Sequence, residues 1–527
     1  MSRVPVDTWN GLKYFGKELL EERPHMKSQE TAVTLGAGRQ LLFDDYLIAS
    51  SQLVRKFHQP KVHPATPVLK PETPIEMNGG YCPVACTFQD GVFFDPADNL
   101  FKMTYHAGWF ASTALATSRD GIHWDRPILP IDGVTNRILP IGYPRMRDGA
   151  GFWLDTFAKD PAERFKMMVY YRHGSHPSMP YVDYDFDGVK EQYAEIYTSA
   201  DAINWTARGR TGLCGDNSNF YYNPFDSKWY YSLRVHAEMG RQRNYVAHED
   251  FVEGRNWAEQ ERKALVVPDA IDHANPLGVV RSEIYNFDAV AYESVMLGVY
   301  GMFRGPQNPE SFYAGLPKIT DLEIGFSRDG LDWIRPNRTE PFLAPSQVPG
   351  QWDRGYLHAT GGVCLVVGDE LYFYVSGFSG ISPNLGTHSY AGGAVALVTL
   401  RRDGFVSLHT ERSGEMVTKP LIFSGSHFFV NADCGGGQMR IAVLDEEGEA
   451  IAGYGLDDCE AVTVDKVTCS VRWKGGDLGQ FAGKPVRFQF VLENSHLYSF
   501  WVSHSIGGQS GGYLAAGGPG YSGVIDE

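Results

Sequence analysis

A short turn followed by a tryptophan recurs along the chain, and it constrains the fold more than any other feature of the sequence. Three clear copies with the pattern Ser-x-Asp-x-x-x-Trp span residues 118–124, 199–205 and 327–333, and two degenerate copies span residues 253–257 and 402–408. Asp and Gly at the centre of such a segment favour a tight turn, and we expect each Trp to pack in the strand that follows. A recurring unit of this kind indicates an architecture of repeated modules.

An aromatic-rich hairpin precedes each copy of the turn. The five hairpins lie at residues 92–105, 152–170, 220–231, 289–299 and 363–374. Each reads as strand, turn, strand, and the hairpin that follows brings the unit to four strands. Five such units predict an all-β five-bladed β-propeller. A large sandwich or a β-helix is the alternative, but the units are too long and too variable in length for a solenoid.

The repeat divides the chain into four predicted regions. Residues 1–40 form an N-terminal extension with one short helix between Asn10 and Glu22, and residues 41–410 form the propeller. Residues 411–505 show the alternating strands of a C-terminal β-sandwich. Residues 506–527 are rich in Gly and are predicted to be a flexible tail.

Composition excludes several classes of function. The net charge is −16, so we expect no nucleic-acid partner, and no apolar run is long enough for a membrane helix. The seven cysteines predict neither a disulfide framework nor a zinc site. The first residues lack the apolar core of a secretory signal, which favours the cytoplasm unless the start has been trimmed.

Strand direction predicts where a functional site lies. If the innermost strand of every blade starts at the upper end of the ring, the starts of these strands and the loops between second and third strands gather there. Asp90, Asp148 and Asp216 then converge near the axis. Several acids at one mouth repel each other, which argues for chemistry rather than stability. Paired carboxylates with different pKa values are what glycoside hydrolysis requires. The alternative is that each Asp caps a turn.

Other residues at the same end fit carbohydrate binding. Trp109 is a candidate for stacking on a sugar ring, and Arg147, Arg172, Arg234 and Arg304 are candidates for binding an acidic group on a glycan, because guanidinium binds such groups in a bidentate manner. The alternative is that these arginines pair with the Asp residues. The remaining candidate binding residues are His106, Asn217, Tyr285, Asp288 and Glu293. His358 is either a calcium or water ligand on the axis or a hydrogen-bonded structural residue. We expect no required cofactor.

These motifs resemble the five-bladed glycoside hydrolases of families 32, 43 and 68, and in particular bacterial proteins of the family 32/43-like type. The similar stretches span residues 42–48, 101–105, 116–124, 285–294, 361–365 and 403–408. The resemblance covers about residues 40–500, including the terminal sandwich. It implies a carbohydrate substrate and cleavage of a glycosidic bond in a poly- or oligosaccharide, with exo action expected.

The resemblance also implies roles for the three acids. The Asp of blade one is the nucleophile in family 32, the Asp of an Arg-Asp-Pro motif in blade two stabilises the transition state, and a Glu in blade three is the acid. Arg147-Asp148-Gly149 resembles the second motif with Gly in place of Pro. Asp90 lacks the surrounding Asn-Asp-Pro-Asn motif, and Asp216 replaces the Glu. Glu283, Asp288 or Glu293 of blade four are alternatives for the acid.

Two further functions stay open from the sequence. A non-catalytic glycan-binding propeller would bind sugar without turnover. A transferase or phosphorylase would need a phosphate pocket, for which Arg172, His173, Arg234 and His236 are candidates.

Overall fold

The structure is a computed structural model that describes residues 31–140, 145–173, 189–237, 240–273, 282–307, 310–311 and 315–527, with the side chains of residues 189 and 190 left aside. The predicted helix between Asn10 and Glu22 lies outside the described residues. Short N-terminal strands open this part of the chain: β1 (Val33–Thr34), β2 (Gln40–Leu41), β3 (Ile48–Ser51), β4 (Val54–Phe57) and β5 (Lys61–Val62). Two four-residue helices follow at Pro74–Met77 (α1) and Ala270–His273 (α2).

Five antiparallel sheets form the blades of a β-propeller. Blade one contains β6 (Ala85–Asp95), β7 (Leu100–Ala107) and β8 (Ser112–Ser118). Blade two contains β9 (Arg145–Leu154), β10 (Phe165–His173), β11 (Val189–Ser199) and β12 (Thr206–Arg210). Blade three contains β13 (Asn219–Asn223), β14 (Lys228–Ala237), β15 (Gly240–His248) and β16 (Lys263–Val266). Blade four contains β17 (Glu283–Glu293), β18 (Val295–Gly305) and β19 (Ile319–Ser327).

Blade five closes the ring with a strand from the other end of the chain. Its members are β20 (Gly355–His358), β21 (Leu365–Val367), β22 (Glu370–Phe378) and β25 (Gly393–Arg401), and a small hairpin of β23 (Ile381–Ser382) and β24 (Gly386–Thr387) projects from it. The outer strand is β5, which pairs with Val398 and Thr399 of β25. The five-bladed prediction is therefore confirmed, although the outer strands of blades one and four are reduced to isolated bridges such as Thr117 with Asp125.

The predicted turns have one shared hydrogen-bond pattern. In the first clear copy, the Asp120 carboxylate accepts the backbone N–H groups of Ile122 and His123 at 2.8 Å, and the Ser118 hydroxyl accepts that of Gly121 at 2.9 Å. The same bonds recur around Asp201 and Asp329. A carboxylate and a hydroxyl thus satisfy the backbone of each turn, which explains why this motif recurs.

The C-terminal strands surround a second apolar core, separate from that of the propeller. They are β26 (Val406–Thr418), β27 (Leu421–Ile422), β28 (His427–Asp433), β29 (Gln438–Leu444), β30 (Asp465–Val471) and β31 (Arg487–Ser503). The long strand β31 pairs with β26, β28 and β29. β2, β3 and β4 join the same sheet, so residues 40–57 lie with the sandwich rather than with the predicted propeller region. These strands are too short to give a periodic signal, and their partners are hundreds of residues away.

The Gly-rich tail is packed against the lower end of the propeller instead of forming the predicted flexible extension. Its strand β32 (Tyr513–Leu514) pairs with Tyr292 and Glu293 of β17. Ala516 donates to the Cys364 carbonyl and accepts from the Phe94 N–H, both at 3.0 Å. A Cβ on Gly518 would lie 1.8 Å from the Val366 carbonyl oxygen. Gly therefore serves close packing here rather than mobility.

A buried ion-pair cluster joins the tail, the propeller and the sandwich. Glu293 is fully buried, and its carboxylate contacts Arg402 Nη2 at 2.9 Å and the Ser510 hydroxyl at 2.7 Å. Arg402 also binds Asp526 of the tail at 2.9 Å. Arg39 completes the cluster by contacting Glu293 at 3.4 Å and Asp403 at 3.1 Å.

We predict that Arg402→Met destabilises the protein by about 3–5 kcal/mol, because removal of one partner leaves a buried carboxylate without full compensation. The measurement is urea unfolding of the full chain. The control is Lys474→Met, since Lys474 forms a surface pair with Asp458 and is 70% exposed. This change should have little effect. Equal shifts in the two variants would contradict a structural role for the buried cluster.

Candidate active site

A chain of ion pairs and one hydrogen bond to a backbone carbonyl connects the three predicted acids at the upper end of the ring, where the innermost strands start. Arg147 Nη2 lies 2.8 Å from Asp90 Oδ2, and the Nε of Arg147 donates to the Asp148 carbonyl at 2.8 Å. Arg172 Nη2 bridges Asp148 Oδ2 at 2.5 Å and Asp216 Oδ2 at 3.0 Å. The structure therefore brings Asp90, Asp148 and Asp216 together from blades one, two and three.

The chain ends at blade three. Arg234 Nε lies 2.6 Å from Asp216 Oδ1, and its Nη1 lies 2.7 Å from His236 Nε2. Burial and then the charge of Arg234 lower the pKa of His236, which keeps the imidazole neutral and able to accept from the guanidinium. Of the two readings of the arginines, pairing with the acids is the one that the structure shows at this end of the ring.

The innermost strand of blade one is irregular around Asp90. The register of β6 against β7 shifts between Cys86 and Gly91, and Phe88 and Gln89 have φ values of +40° and +74°. Asp90 is fully buried, and this burial raises its pKa to about 6, although Arg147 opposes the shift. A carboxyl with this pKa exchanges its proton near neutral pH.

An aromatic wall borders the acids on the side of blades one and five. Trp109 stacks on Tyr390 with ring centroids 4.6 Å apart, and Phe88 lies 5.2 Å from Trp109 and 5.9 Å from Tyr356. Tyr285 of blade four joins the wall through a 2.7 Å bond between its hydroxyl and that of Tyr356. Arg172 lies over the ring of Phe110 at 4.6 Å, so the wall contacts the ion-pair chain.

Two residues of this wall, Lys318 and Tyr356, were not among the predicted site residues. Lys318 is buried, donates to the Tyr390 hydroxyl at 2.7 Å and lies 4.6 Å from the centroids of Tyr356 and Tyr390. Tyr356 stands two residues before His358 at the start of blade five, so its place in the repeat was a usable signal. Lys318 precedes an outer strand and has no such signal.

Two predicted histidines are enclosed by aromatic rings. His106 Nε2 accepts the Phe110 N–H at 2.7 Å, and burial holds the pKa of His106 well below its usual range. Both ring nitrogens of His358 are buried without a hydrogen-bond partner, and burial lowers its pKa to about 3. Phe88 lies 4.4 Å and Tyr356 4.5 Å from its ring.

Calcium does not fit this position. Calcium takes six to eight oxygen ligands, whereas His358 offers nitrogen among aromatic rings. In the part of the chain that the structure describes, no group of three or more His, Cys, Asp or Glu residues is arranged to hold a metal ion.

Two other candidates lie beside the axis. Asn217 is buried and follows Asp216, and its carbonyl accepts from Arg243 Nη2 at 2.7 Å. Asp288 is in the middle of β17, where Asn219 and Asn286 donate to its carboxylate. Burial raises the pKa of Asp288 to about 7.

Two candidates lie away from the acids. Glu293 is the last residue of β17 and belongs to the buried cluster at the lower end, because an 11-residue strand carries its two ends to opposite sides of the ring. Arg304 pairs with Asp321 at 3.0 Å and Glu323 at 2.9 Å in blade four. Arg304 is at the upper end of β18, as predicted, because its neighbour Phe303 pairs with Glu283 at the start of β17, but its partners are not the three acids. Glu283 itself pairs with Arg241.

The phosphate pocket of the transferase interpretation is not supported by these contacts. Arg172 and Arg234 bind carboxylates, and His173 Nε2 lies 2.8 Å from Glu191 Oε1.

In the described residues, no helix is long and apolar enough to cross a membrane.

No family model matches the sequence. No curated protein matches it either. Several solved structures are similar to this chain at low identity. A thermostable family-43 glycoside hydrolase is 11% identical with a TM-score of 0.40 over 60% of this chain and 92% of its own. An exo-inulinase from Aspergillus awamori is 11% identical with a TM-score of 0.37 over 80% and 97%.

A third similar structure is an exo-β-1,3-galactanase from Phanerochaete chrysosporium. It is 9% identical to this chain, with a TM-score of 0.35 over 78% of this chain and 95% of its own.

We predict that Asp288→Asn changes the pH dependence of stability. The pKa of Asp288 is about 7 in the folded chain and about 3.9 when unfolded, so the folded state holds more protons between these values. Its contribution to the free energy of unfolding therefore falls as pH rises from about 4 to about 7. The variant lacks this loss, so its stability relative to wild type should rise by on the order of 2–4 kcal/mol over that range.

Urea unfolding at half-unit pH intervals measures this difference. Asp201→Asn is the matched control, because backbone N–H groups lower the pKa of Asp201. The stability of this variant relative to wild type should therefore fall, not rise, as pH increases. A flat difference for Asp288→Asn would contradict a buried carboxyl that ionises near neutrality.

Proposed function

We propose that this protein is a glycoside hydrolase that cleaves a glycosidic bond of a poly- or oligosaccharide from the upper end of its propeller, with exo action. The observation that carries the proposal is the meeting of three carboxylates from successive blades beside an aromatic wall. Carboxylates in pairs supply the acid and the nucleophile or base of glycoside cleavage. Aromatic rings with few polar groups are typical of a ligand pocket.

The three acids take different roles in this proposal. Asp148 stabilises the oxocarbenium-like state, and Arg172 Nε fixes its carboxylate by donating to Oδ2 at 2.6 Å. Asp216 is the nucleophile and is the most exposed of the three at 8%. Asp90 is the acid, since its raised pKa of about 6 suits proton donation below neutrality.

A non-catalytic glycan-binding protein is the second candidate. Each of the three acids is paired with arginine and mostly buried, which a purely structural set of ion pairs would also show. This candidate requires sugar binding without any released product.

We predict that Asp148→Asn and Asp216→Asn each lower kcat/KM at least 100-fold, because each removes a charge that the transition state requires. The assay measures sugar released from aryl glycosides, inulin and β-1,3-galactan, the last two being the polymers after which two similar proteins are named. Asp120→Asn is the control, since Asp120 lies in a lower-end turn. Equal activity of all four proteins would exclude this site, and binding without product would favour the second candidate.

We predict that kcat/KM of the wild type falls as pH rises through about 6, because an acid with that pKa must be protonated to act. Asp90→Asn should lose most activity, and its remaining kcat/KM should no longer fall as pH rises through about 6. Glu283→Gln should keep this alkaline limb of the pH profile. A limb that disappears only in Glu283→Gln would assign the acid to blade four instead.

A further inference from the structure

A cavity lies at the opposite end of the propeller from the acids, where blade five meets the sandwich. Its volume is about 470 Å³, within the range of about 300–1,000 Å³ that small-ligand sites occupy. We call it the seam pocket and define it by six of its residues: His58, Asp369, Arg401, Asp433, Lys466 and Tyr498. Asp369 lies in the lower turn between β21 and β22, and Arg401 ends β25. The pocket is therefore remote from the upper mouth.

Fixed side chains form part of this pocket. The Arg401 guanidinium donates to Asn431 Oδ1 at 2.8 Å and to the Ala432 carbonyl at 3.2 Å, and pairs with Asp465 at 2.5 Å. It lies 4.8 Å from the centroid of the Tyr498 ring. Tyr498 itself is only 8% exposed. Side chains held in this way lose little freedom when a ligand binds.

The charge pattern excludes two ligand classes. Asp369, Glu370, Asp433 and Asp465 place carboxylates around the pocket, which disfavours an anion. Lys61, Arg401 and Lys466 place cations among them, and no group of acids in the described chain is arranged to hold a metal ion. A bare cation is thus disfavoured as well.

A neutral polyhydroxyl compound fits this mixture of charges. A hydroxyl both donates and accepts, so it uses carboxylates and cations that stand side by side. His58 adds a neutral imidazole, because burial and then Lys56 lower its pKa to about 4, and its Nε2 is held by the Ser407 hydroxyl at 2.9 Å. Its ring centroid is 5.4 Å from that of Tyr498.

We propose that the seam pocket binds a neutral saccharide and anchors a polysaccharide whose free end is cleaved at the upper mouth. Binding at the seam rests on the local contacts alone, whereas the anchoring role rests on the proposed function. The two ends of the protein thus hold different parts of one polymer. Binding at the seam pocket raises the local concentration of chain ends at the upper mouth.

The test is native affinity electrophoresis of the full-length protein at 4 °C in gels that contain inulin, β-1,3-galactan or starch. One variant changes the sandwich side and combines Asp433→Asn with Lys466→Ala. The amide introduced at residue 433 keeps an oxygen that can accept the Gly435 N–H. A second variant changes the propeller side, Asp369→Asn with Lys61→Ala. The matched control is Glu446→Gln with Lys484→Ala, which removes the same charges from exposed sites elsewhere on the sandwich.

At least one polymer should retard the wild type and the control equally. Both seam variants should bind that polymer at least fivefold more weakly, with unchanged turnover of small aryl glycosides. Equal retardation of all proteins, or no retardation by any polymer, would overturn the proposal. Turnover is measured separately, so seam-dependent retardation without turnover would remove the anchoring role and the proposed function but leave the seam site in place.

Discussion

Buried carboxylates neutralised by arginine are the interaction on which both ends of this protein depend. At the upper end, Arg147 and Arg172 stand between acids of neighbouring blades. At the lower end, Arg402 joins Glu293 of blade four to the tail. A buried acid is costly without a partner, so each pair fixes the position of two segments relative to each other. The same chemistry therefore serves assembly below and, in our proposal, catalysis above.

Ring closure brings the innermost strands of blades one and five together. β5 completes blade five from the N-terminal side, and Gly91 and Gly361 form a bridge between the innermost strands of blades one and five. Asp148 and Asp216 are 68 residues apart in sequence, yet the guanidinium of Arg172 contacts both of them because their blades are neighbours. Asp90 lies within the irregular part of β6 and pairs with Arg147 of blade two. Position in the ring, more than local sequence, decides which acids meet.

The sequence predicted the features that repeat. Turns with Ser118, Ser199 or Ser327 and their aromatic hairpins are local patterns, so they predicted five blades and the end at which Asp148 and Asp216 lie. It could not predict pairings set by distant partners. The short strands β2 to β4 belong to the sandwich because their partners lie there. Glu293 lies at the lower end because β17 has 11 residues, a length that the sequence pattern did not specify. Gly-rich segments were ambiguous too, since close packing and flexibility select the same residue.

The central claim is that water cleaves a glycosidic bond at the upper mouth. The most direct measurement is incubation of the full chain with neutral oligosaccharides in H₂¹⁸O, followed by mass spectrometry of the released sugars. We expect one ¹⁸O atom at the anomeric carbon of the sugar that formed the glycosidic bond, and none with Asp148→Asn. Released sugar without label, or no released sugar from any oligosaccharide, would contradict the account.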